Sequence, residues 1–319
     1  MASTAPEITL KHAATLKNHP PPKLASISPS LAHFKYAPSR DGTDSNLLVL
    51  FHGLGDTAQP FFQLGQSLNL PQTAVLAIQA PERVPLLEED AWQWWESFTP
   101  LGELIPNPNP SATLALLLPV LDHLTAPISP SPSSSSTPAS SSSSKPKPAL
   151  PGCGWSPSQI HLFGYQQGAS LAGELALAFS RSRASPPSSS SSSPSPPLSL
   201  GSLVTVSAPL LSPPTGAGTK SATKVAVVHR AGEERRVGVP GWRKGFAEVR
   251  EVKLEGGRGR EGMPRGVGEW REIMRFWSEV LLRRSALETD GGEVYEIAGG
   301  VAAARAAGAG ATAGAGAKK

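Results

Sequence analysis

Apolar residues in this chain fall into short unbroken runs, alternating with stretches where they recur every three or four positions. "LLVLFHG" (Leu47–Gly53), "TAVLAIQAP" (Thr73–Pro81), "IHLF" (Ile160–Phe163), "GSLVTVSAPLL" (Gly201–Leu211) and "KVAVVHRAG" (Lys224–Gly232) are runs of the first kind. Each predicts a strand buried on both faces of a parallel sheet, because no position along it tolerates water. "HFKYAP" (His33–Pro38) and "AEVREVKLE" (Ala247–Glu255) read as a first and a last strand. Between them lie helical patterns. In "PFFQLGQSLNL" the residues Phe61, Phe62, Leu64, Gly65 and Leu68 can share one face. "SATLALLLPVLDHL" (Ser111–Leu124) predicts a helix capped by Ser111 and disturbed at Pro119. "ASLAGELALAF" follows the "IHLF" strand. "GVGEWREIMRFWSEVLLRR" closes the series, with Trp270, Ile273, Met274, Trp277, Val280 and Leu281 at helical spacing. "AWQWWESF" is an aromatic loop. The sum is an α/β architecture: one mostly parallel sheet with helices on both faces.

Composition changes this picture at the edges and in two places inside it. Hydrophobic residues make up only 39% of the 319, with 33 prolines and 31 glycines, so a single core is diluted by segments that cannot fold. Residues 1–30 are polar and Pro-rich and are expected to be a flexible arm. Ser/Pro tracts over about 126–152 and 182–199 are expected to be disordered insertions. They are insertions rather than boundaries because the strand–helix rhythm resumes after each, and long loops cost little. The low-complexity stretch 285–319 is a tail, which leaves 31–284 as a single domain.

The net charge of +4 comes mostly from an Arg-rich C-terminal third in which Glu is interleaved. That reads as a solvated surface, not a nucleic-acid face: there is no aromatic-basic module and no zinc-finger spacing. The single cysteine, Cys153, cannot form an internal disulfide and fits a reducing compartment. No histidine partner for it is evident in the sequence. No run of about 18 apolar residues is present, so no spanning helix is expected, and the N-terminus lacks the apolar centre of a secretory signal. Cytoplasmic localisation is the expectation, with a mitochondrial presequence as the lesser alternative. No metal-binding spacing such as H-E-x-x-H occurs, and no cofactor is expected.

The candidate chemistry lies in Gly164-Tyr165-Gln166-Gln167-Gly168, between a buried strand and an amphipathic helix. A nucleophile elbow, G-x-S-x-G, has this form: the strand-to-helix turn is so sharp that its neighbours must be small. Gly164 and Gly168 meet that demand, but Gln166 stands where the nucleophile belongs. The second motif is "LFHGLGDT" (Leu50–Thr57), a strand entering His-Gly and a small-residue loop. Such a loop supplies one N–H of an oxyanion hole, which assigns the donors to the backbones of Leu54 and Gln167. His52 by itself reads as a hydrogen-bonded core histidine.

These two motifs, with "AIQAPERVP", "AWQWWESF", "GYQQGAS", "LVTVSAPLL", "VAVVHRAGEERRV" and "GMPR" (Gly262–Arg265), resemble the phospholipase/carboxylesterase branch of the α/β hydrolases, which includes acyl-protein thioesterases. The likeness runs from about Asn46 to Arg284, outside the Ser tracts, and extends to a fungal-type subgroup with "GMPR" before the last helix. It implies an α/β-hydrolase fold and an ancestry in ester or thioester hydrolysis. It also implies a Ser–Asp/Glu–His triad in that chain order. Here the nucleophile position holds Gln166, whose amide cannot form an acyl-enzyme. The segment expected to carry the base, "GGRGREGMPRGV", has no histidine, and none follows His229. The acid position matches Glu233, in a charged "EERR" cluster. Ser170, four residues past Gln166, reads as a packed helix residue, and His229 lies too early in the chain to be the base.

Three functional readings follow. The first is a non-catalytic homologue that binds an acyl- or ester-like ligand or a protein partner. The second is a working carboxylesterase or thioesterase with rearranged residues. The third is an interaction protein acting through its Ser/Pro tracts, which suit phosphorylation.

Overall fold

A computed structural model describes residues 9–12, 18–85, 87, 89–106, 108–128, 150–183, 198–215, 219–256, 262–284 and 295–298. The chain divides into two units, Asn18–Arg283 and a second one of Met1–Lys17 with Arg284–Lys319. In the second unit Thr9–His12 and Tyr295–Ala298 form an antiparallel two-stranded ladder. Most of both Ser/Pro insertions lies outside the described residues.

The larger unit is built on a seven-stranded sheet. Its elements are β1 (Phe34–Ala37), β2 (Asn46–Phe51), α1 (Ala58–Ser67), β3 (Thr73–Ile78), α2 (Ser111–Thr125), β4 (Ile160–Tyr165), α3 (Gln167–Ser182), β5 (Ser202–Val206), β6 (Lys224–Arg230), α4 (Val239–Gly245), β7 (Val249–Leu254) and α5 (Gly266–Val280). The strand order is β7-β6-β5-β4-β2-β3-β1, all parallel except β1, which runs antiparallel to β3. The α/β-hydrolase architecture expected from the sequence is therefore present.

The unbroken apolar runs are explained by burial on both faces. Every residue of β2 and β3 is buried. Along β2, Leu47, Val49 and Phe51 enter the core packed by α2, α3 and α4, while Leu48 and Leu50 enter the core packed by α1 and α5. This is the period-two alternation of a strand, with both sides apolar. At the outer edge, β7 buries Val252 and Leu254 but exposes Glu251 and Lys253, the charged pattern that protects a sheet edge.

Two expectations are corrected. The arm assigned to residues 1–30 does not reach its C-terminal end. His19 stacks on Trp155 with ring centroids 3.6 Å apart, and Leu24 is fully buried in the larger core, next to Leu31 of the domain proper. Ser111 is the first residue of α2 rather than its cap. Pro110 holds the cap position, and the Asn109 side chain accepts the Ser111 N–H at 3.1 Å.

Under the sheet, His161 is locked between Asn46 Oδ1 (3.2 Å) and Ser202 Oγ (2.8 Å), and Asn46 in turn clips the chain after α5 through Leu282. Burial lowers the imidazole pKa to about 3. The folded value lies below the ordinary 6.5, so the unfolded chain binds the extra proton between these limits. Stability from this site is complete above pH 6.5 and is lost as pH falls toward 3. Thermal unfolding of the wild type should therefore fall across that window. In His161→Gln, less stable at pH 7 but unable to charge, the slope should be shallower by up to about 1.4 kcal/mol per pH unit.

Candidate active site

The order of the central strands fixes where a site can form. From β2 the chain moves outward to β3, then returns to place β4 on the other flank of β2. The crevice beyond the carboxyl ends of β2 and β4 is the switch point at which α/β sheets bind ligands. Two turns meet there: residues 52–57 after β2 and 165–167 after β4.

Gln166 forms the apex of the second turn, with φ 46° and ψ −115°. A side chain is disfavoured in that region by about 1–3 kcal/mol. The surroundings hold it there. Its N–H donates to Val206 O on the neighbouring strand (2.9 Å), and its carbonyl accepts from Ala169 and Ser170 at the start of α3 (3.0 and 3.1 Å). The flanking glycines are sterically required. A Cβ on Gly164 would stand 2.5 Å from both Ala169 Cα and Gly168 O, and one on Gly168 only 2.4 Å from His52 O and 2.5 Å from Phe51 O. Gly168 is thus where the helix rides against the first turn.

In that first turn His52 is fully buried. One ring nitrogen, Nδ1, donates to Gly53 O (2.7 Å), while Nε2 accepts the Ala80 N–H (3.0 Å) and lies 3.1 Å from Gln79 Nε2. Burial lowers its pKa, consistent with a neutral ring acting as a strap. Gly53 passes beneath the elbow side chains: a Cβ there would be 2.8 Å from Tyr165 Cδ1 and 3.6 Å from Gln166 Oε1. The Gln166 amide therefore lies over the start of the loop that carries Leu54. Gln167 opens α3, so its N–H is among the first-turn donors with no carbonyl a turn before it. Its side chain has another task. Oε1 accepts from Trp94 N–H (2.7 Å), and Nε2 donates to Trp95 O (3.2 Å) and Ser97 Oγ (2.8 Å). One glutamine pins the whole aromatic loop beside the elbow.

Glu233 is half-buried near the end of β6. Its Oε2 accepts from Ser207 Oγ (2.8 Å) and the Arg230 N–H (3.1 Å), and Oε1 pairs with Arg236 (2.6 Å). Burial alone would raise its pKa, but these hydrogen bonds outweigh it and hold the carboxyl below its ordinary value. Ser207 was not singled out in the sequence. Like Gln166 it is a non-glycine residue at positive φ (56°), and it follows directly on Val206, which binds Gln166. Its only signal was its place at the end of the "LVTVS" strand.

The other candidates are held elsewhere. Ser170 donates to Pro209 O at 2.8 Å and is packed in α3. His229 is fully buried between Glu251 Oε1 (3.0 Å) and Arg230 O (3.1 Å). Cys153 has a neighbour that no local pattern shows, since His123 Nε2 lies 3.6 Å from its sulfur. The two are remote in sequence and brought together where α2 packs beside residues 150–155. Burial pushes the thiol up to about 11 and lowers the imidazole, so this pair is a neutral packing contact, not a thiolate nucleophile.

Between β7 and α5, where the resemblance puts a base, the described residues are bound by Arg230. Its guanidinium donates to Glu255 O and Met263 O (both 3.0 Å) and twice to Glu269 (both 2.9 Å). Tyr165 reaches the same region: a Cβ on Gly262 would lie 3.2 Å from its hydroxyl. Burial first, and Glu233 second, raise the phenol pKa, so it stays a neutral hydrogen-bonding group. Among the described residues no group of three or more His, Cys, Asp or Glu is placed to hold a metal ion, and no helix is long and apolar enough to cross a membrane.

The family model described as phospholipase/carboxylesterase matches residues 37–103. An uncharacterized hydrolase of Mycosarcoma maydis is 36% identical over 276 residues, covering 85% of this chain and 90% of that one. The chain belongs to the phospholipase/carboxylesterase family of α/β hydrolases. The solved structure of esterase PE8 shares the fold of this α/β hydrolase at a TM-score of 0.50 and 19% identity, over 77% of this chain and 98% of that one. Zea mays acyl-protein thioesterase 2 aligns at 0.49 and 17%, over 77% and 98%.

The close approach at Gly168 is open to test. In Gly168→Ala the added methyl meets backbone carbonyls that cannot rotate away, so the hydrolase fold should lose about 1–3 kcal/mol or more in denaturant unfolding. Gly232→Ala would give a positive-φ control with open space around the new methyl.

Proposed function

We propose that this protein binds an acyl- or ester-like ligand at the elbow and does not hydrolyse it by the Ser–His–Asp route. The observation that carries the reading is Gln166 at the strained apex. A family hydrolase aims a hydroxyl from such a turn at the ester carbonyl. Here an amide is aimed instead; its N–H protons are too weakly acidic to give a nucleophile, and it has no hydroxyl able to form an acyl-enzyme. The absence of histidine after His229 supports the same conclusion. What survives is suited to binding. The start of α3 presents backbone N–H groups that favour carbonyl oxygens and anions. Gln166 can both donate and accept a hydrogen bond. The neutral phenol of Tyr165 and the carboxylate of Glu233 add polar groups beside the elbow.

One observation favours a second reading, residual hydrolysis. Ser207 places a hydroxyl on the carboxylate of Glu233, beside the elbow. That carboxylate is held below its ordinary pKa, which makes it a weak base for a serine, so this route is the lesser one. The single buried cysteine fits a reducing compartment such as the cytoplasm.

Purified protein should give no burst and no turnover with a short-chain nitrophenyl ester or an acyl thioester, whereas lauric acid or lysophosphatidylcholine should raise its melting temperature. Turnover that disappears in Ser207→Ala would replace the first reading with the second. Silence in both assays would remove the ligand-binding reading. Gln166→Ser should gain little, because the base is missing too.

A further inference from the structure

The aromatic loop beside the elbow continues into a small hairpin, Ser97–Ile105, that leaves apolar side chains in solvent. Ile105 N–H donates to Ser97 O (2.9 Å), Phe98 and Leu104 form an antiparallel bridge, and Thr99 N–H donates to Glu103 O (2.8 Å). The tip is the turn Thr99–Gly102, closed by Gly102 N–H to Thr99 O (2.9 Å), with Pro100 at its second position and Gly102 leaving it at φ 81°. The base is tied to the elbow. Ser97 Oγ accepts from Gln167 Nε2 (2.8 Å), and Ser97 N–H donates to Gln93 Oε1 (3.2 Å). Among the described residues Leu101 (87% exposed), Val267 (86%) and Leu104 (70%) are the three most exposed large apolar side chains, and two of them share this one turn.

Size, backbone chemistry and charge choose the partner. A stable protein interface covers about 800 Å2 on each side, far more than a hairpin tip offers. A lipid surface asks instead for a projecting apolar tip whose backbone is already satisfied, because hydrocarbon supplies no hydrogen bonds. Here the N–H groups of Thr99, Gly102, Glu103 and Ile105 are bonded within the hairpin, and Pro100 has none to satisfy. From Trp94 to Pro110 the chain carries Glu96 and Glu103, both exposed, and no Lys or Arg. An anionic surface repels such a segment. A phosphocholine surface suits it, since the outermost group of each headgroup is a trimethylammonium cation. We propose that Ser97–Ile105 docks the protein on a zwitterionic phosphatidylcholine surface, with Leu101 and Leu104 set among the acyl chains and Glu96 and Glu103 at the choline groups. The docking stands on the hairpin alone, whether or not the elbow binds an acyl ligand.

Flotation of the full chain with phosphatidylcholine vesicles tests it, at a physiological salt concentration that screens distant charges. Wild type should float with the vesicles. The double variant Leu101→Ser/Leu104→Ser should lower the partition coefficient about tenfold or more, with an unchanged circular dichroism spectrum because neither side chain is packed. Val267→Ser, which removes an equally exposed apolar group from α5, should float like wild type. Adding phosphatidylglycerol to the vesicles should weaken the binding. Absence of flotation overturns the proposal, and so does a double variant that floats as well as wild type. Binding that rises with phosphatidylglycerol overturns it too, since that would mark attraction through basic residues elsewhere. A concentration-dependent dimer lost in the double variant would assign the leucines to a second copy of the chain instead.

Discussion

Everything at the candidate site depends on one backbone constraint, the left-handed turn at Gln166. A strand buried on both faces cannot pass into a helix on the same axis without a sharp reversal, and this chain makes the reversal in one residue. Three neighbours then have to comply. Val206 must lie beside the turn to accept its N–H, Gly164 must leave room for the first turn of α3, and Gly168 must let that helix rest on the carbonyls of Phe51 and His52. The strain of one residue is thereby spread over three strands and a helix. Such strain is commonly kept where it positions a functional group. In this chain the positioning survives although the group at the apex is an amide.

Around that turn, polar side chains hold the neighbouring loops in place. Gln167 holds the aromatic loop, and His52 and Gln79 strap the loop of Leu54 to the end of β3. Arg230, nearly buried, ties the segment before α5 to Glu269. A buried ion pair of this kind gives little net stability, because desolvation consumes most of the attraction, but breaking one partner would leave a buried charge. Its consequence is geometric: it fixes the loop that faces Tyr165. The described part of the site is therefore held by hydrogen bonds and an ion pair that fix its loops.

The sequence made the sheet legible because burial on both faces leaves an unbroken apolar signature, as in "LLVLFHG" and "TAVLAIQAP". It also made the elbow legible, since Gly164 and Gly168 answer a steric demand visible from spacing alone. What it hid were contacts between residues remote in the chain. Nothing local distinguishes Ser207 from other strand-end serines; only the fold turns its backbone to positive φ and sets Glu233 against it. His123 and Cys153 carry no mutual signal because α2 and the segment before β4 meet only in three dimensions. The N-terminal edge of the domain was hidden for a related reason. His19 and Leu24 sit in a Pro-rich, weakly patterned stretch, and His19 is held by the ring of Trp155.

The same separation between local signal and spatial arrangement bears on how the activity is read. In a hydrolase of this fold the turn, the loop after β2 and the acid are three independent inputs to one reaction, and losing the nucleophile removes the reaction without removing the reasons for the other two. The turn is still needed to join β4 to α3. The loop is still needed to seat Gly168. Glu233 still holds the ends of β5 and β6 through Ser207 and Arg230. Persistence of these features is therefore weak evidence for catalysis, since folding alone accounts for them. The informative groups are those without a hydrogen-bond partner among the described residues, and beside the elbow these are the side-chain amide of Gln166 and the hydroxyl of Tyr165. Both are neutral hydrogen-bonding groups, and the proposed binding of a carbonyl compound rests on that chemistry.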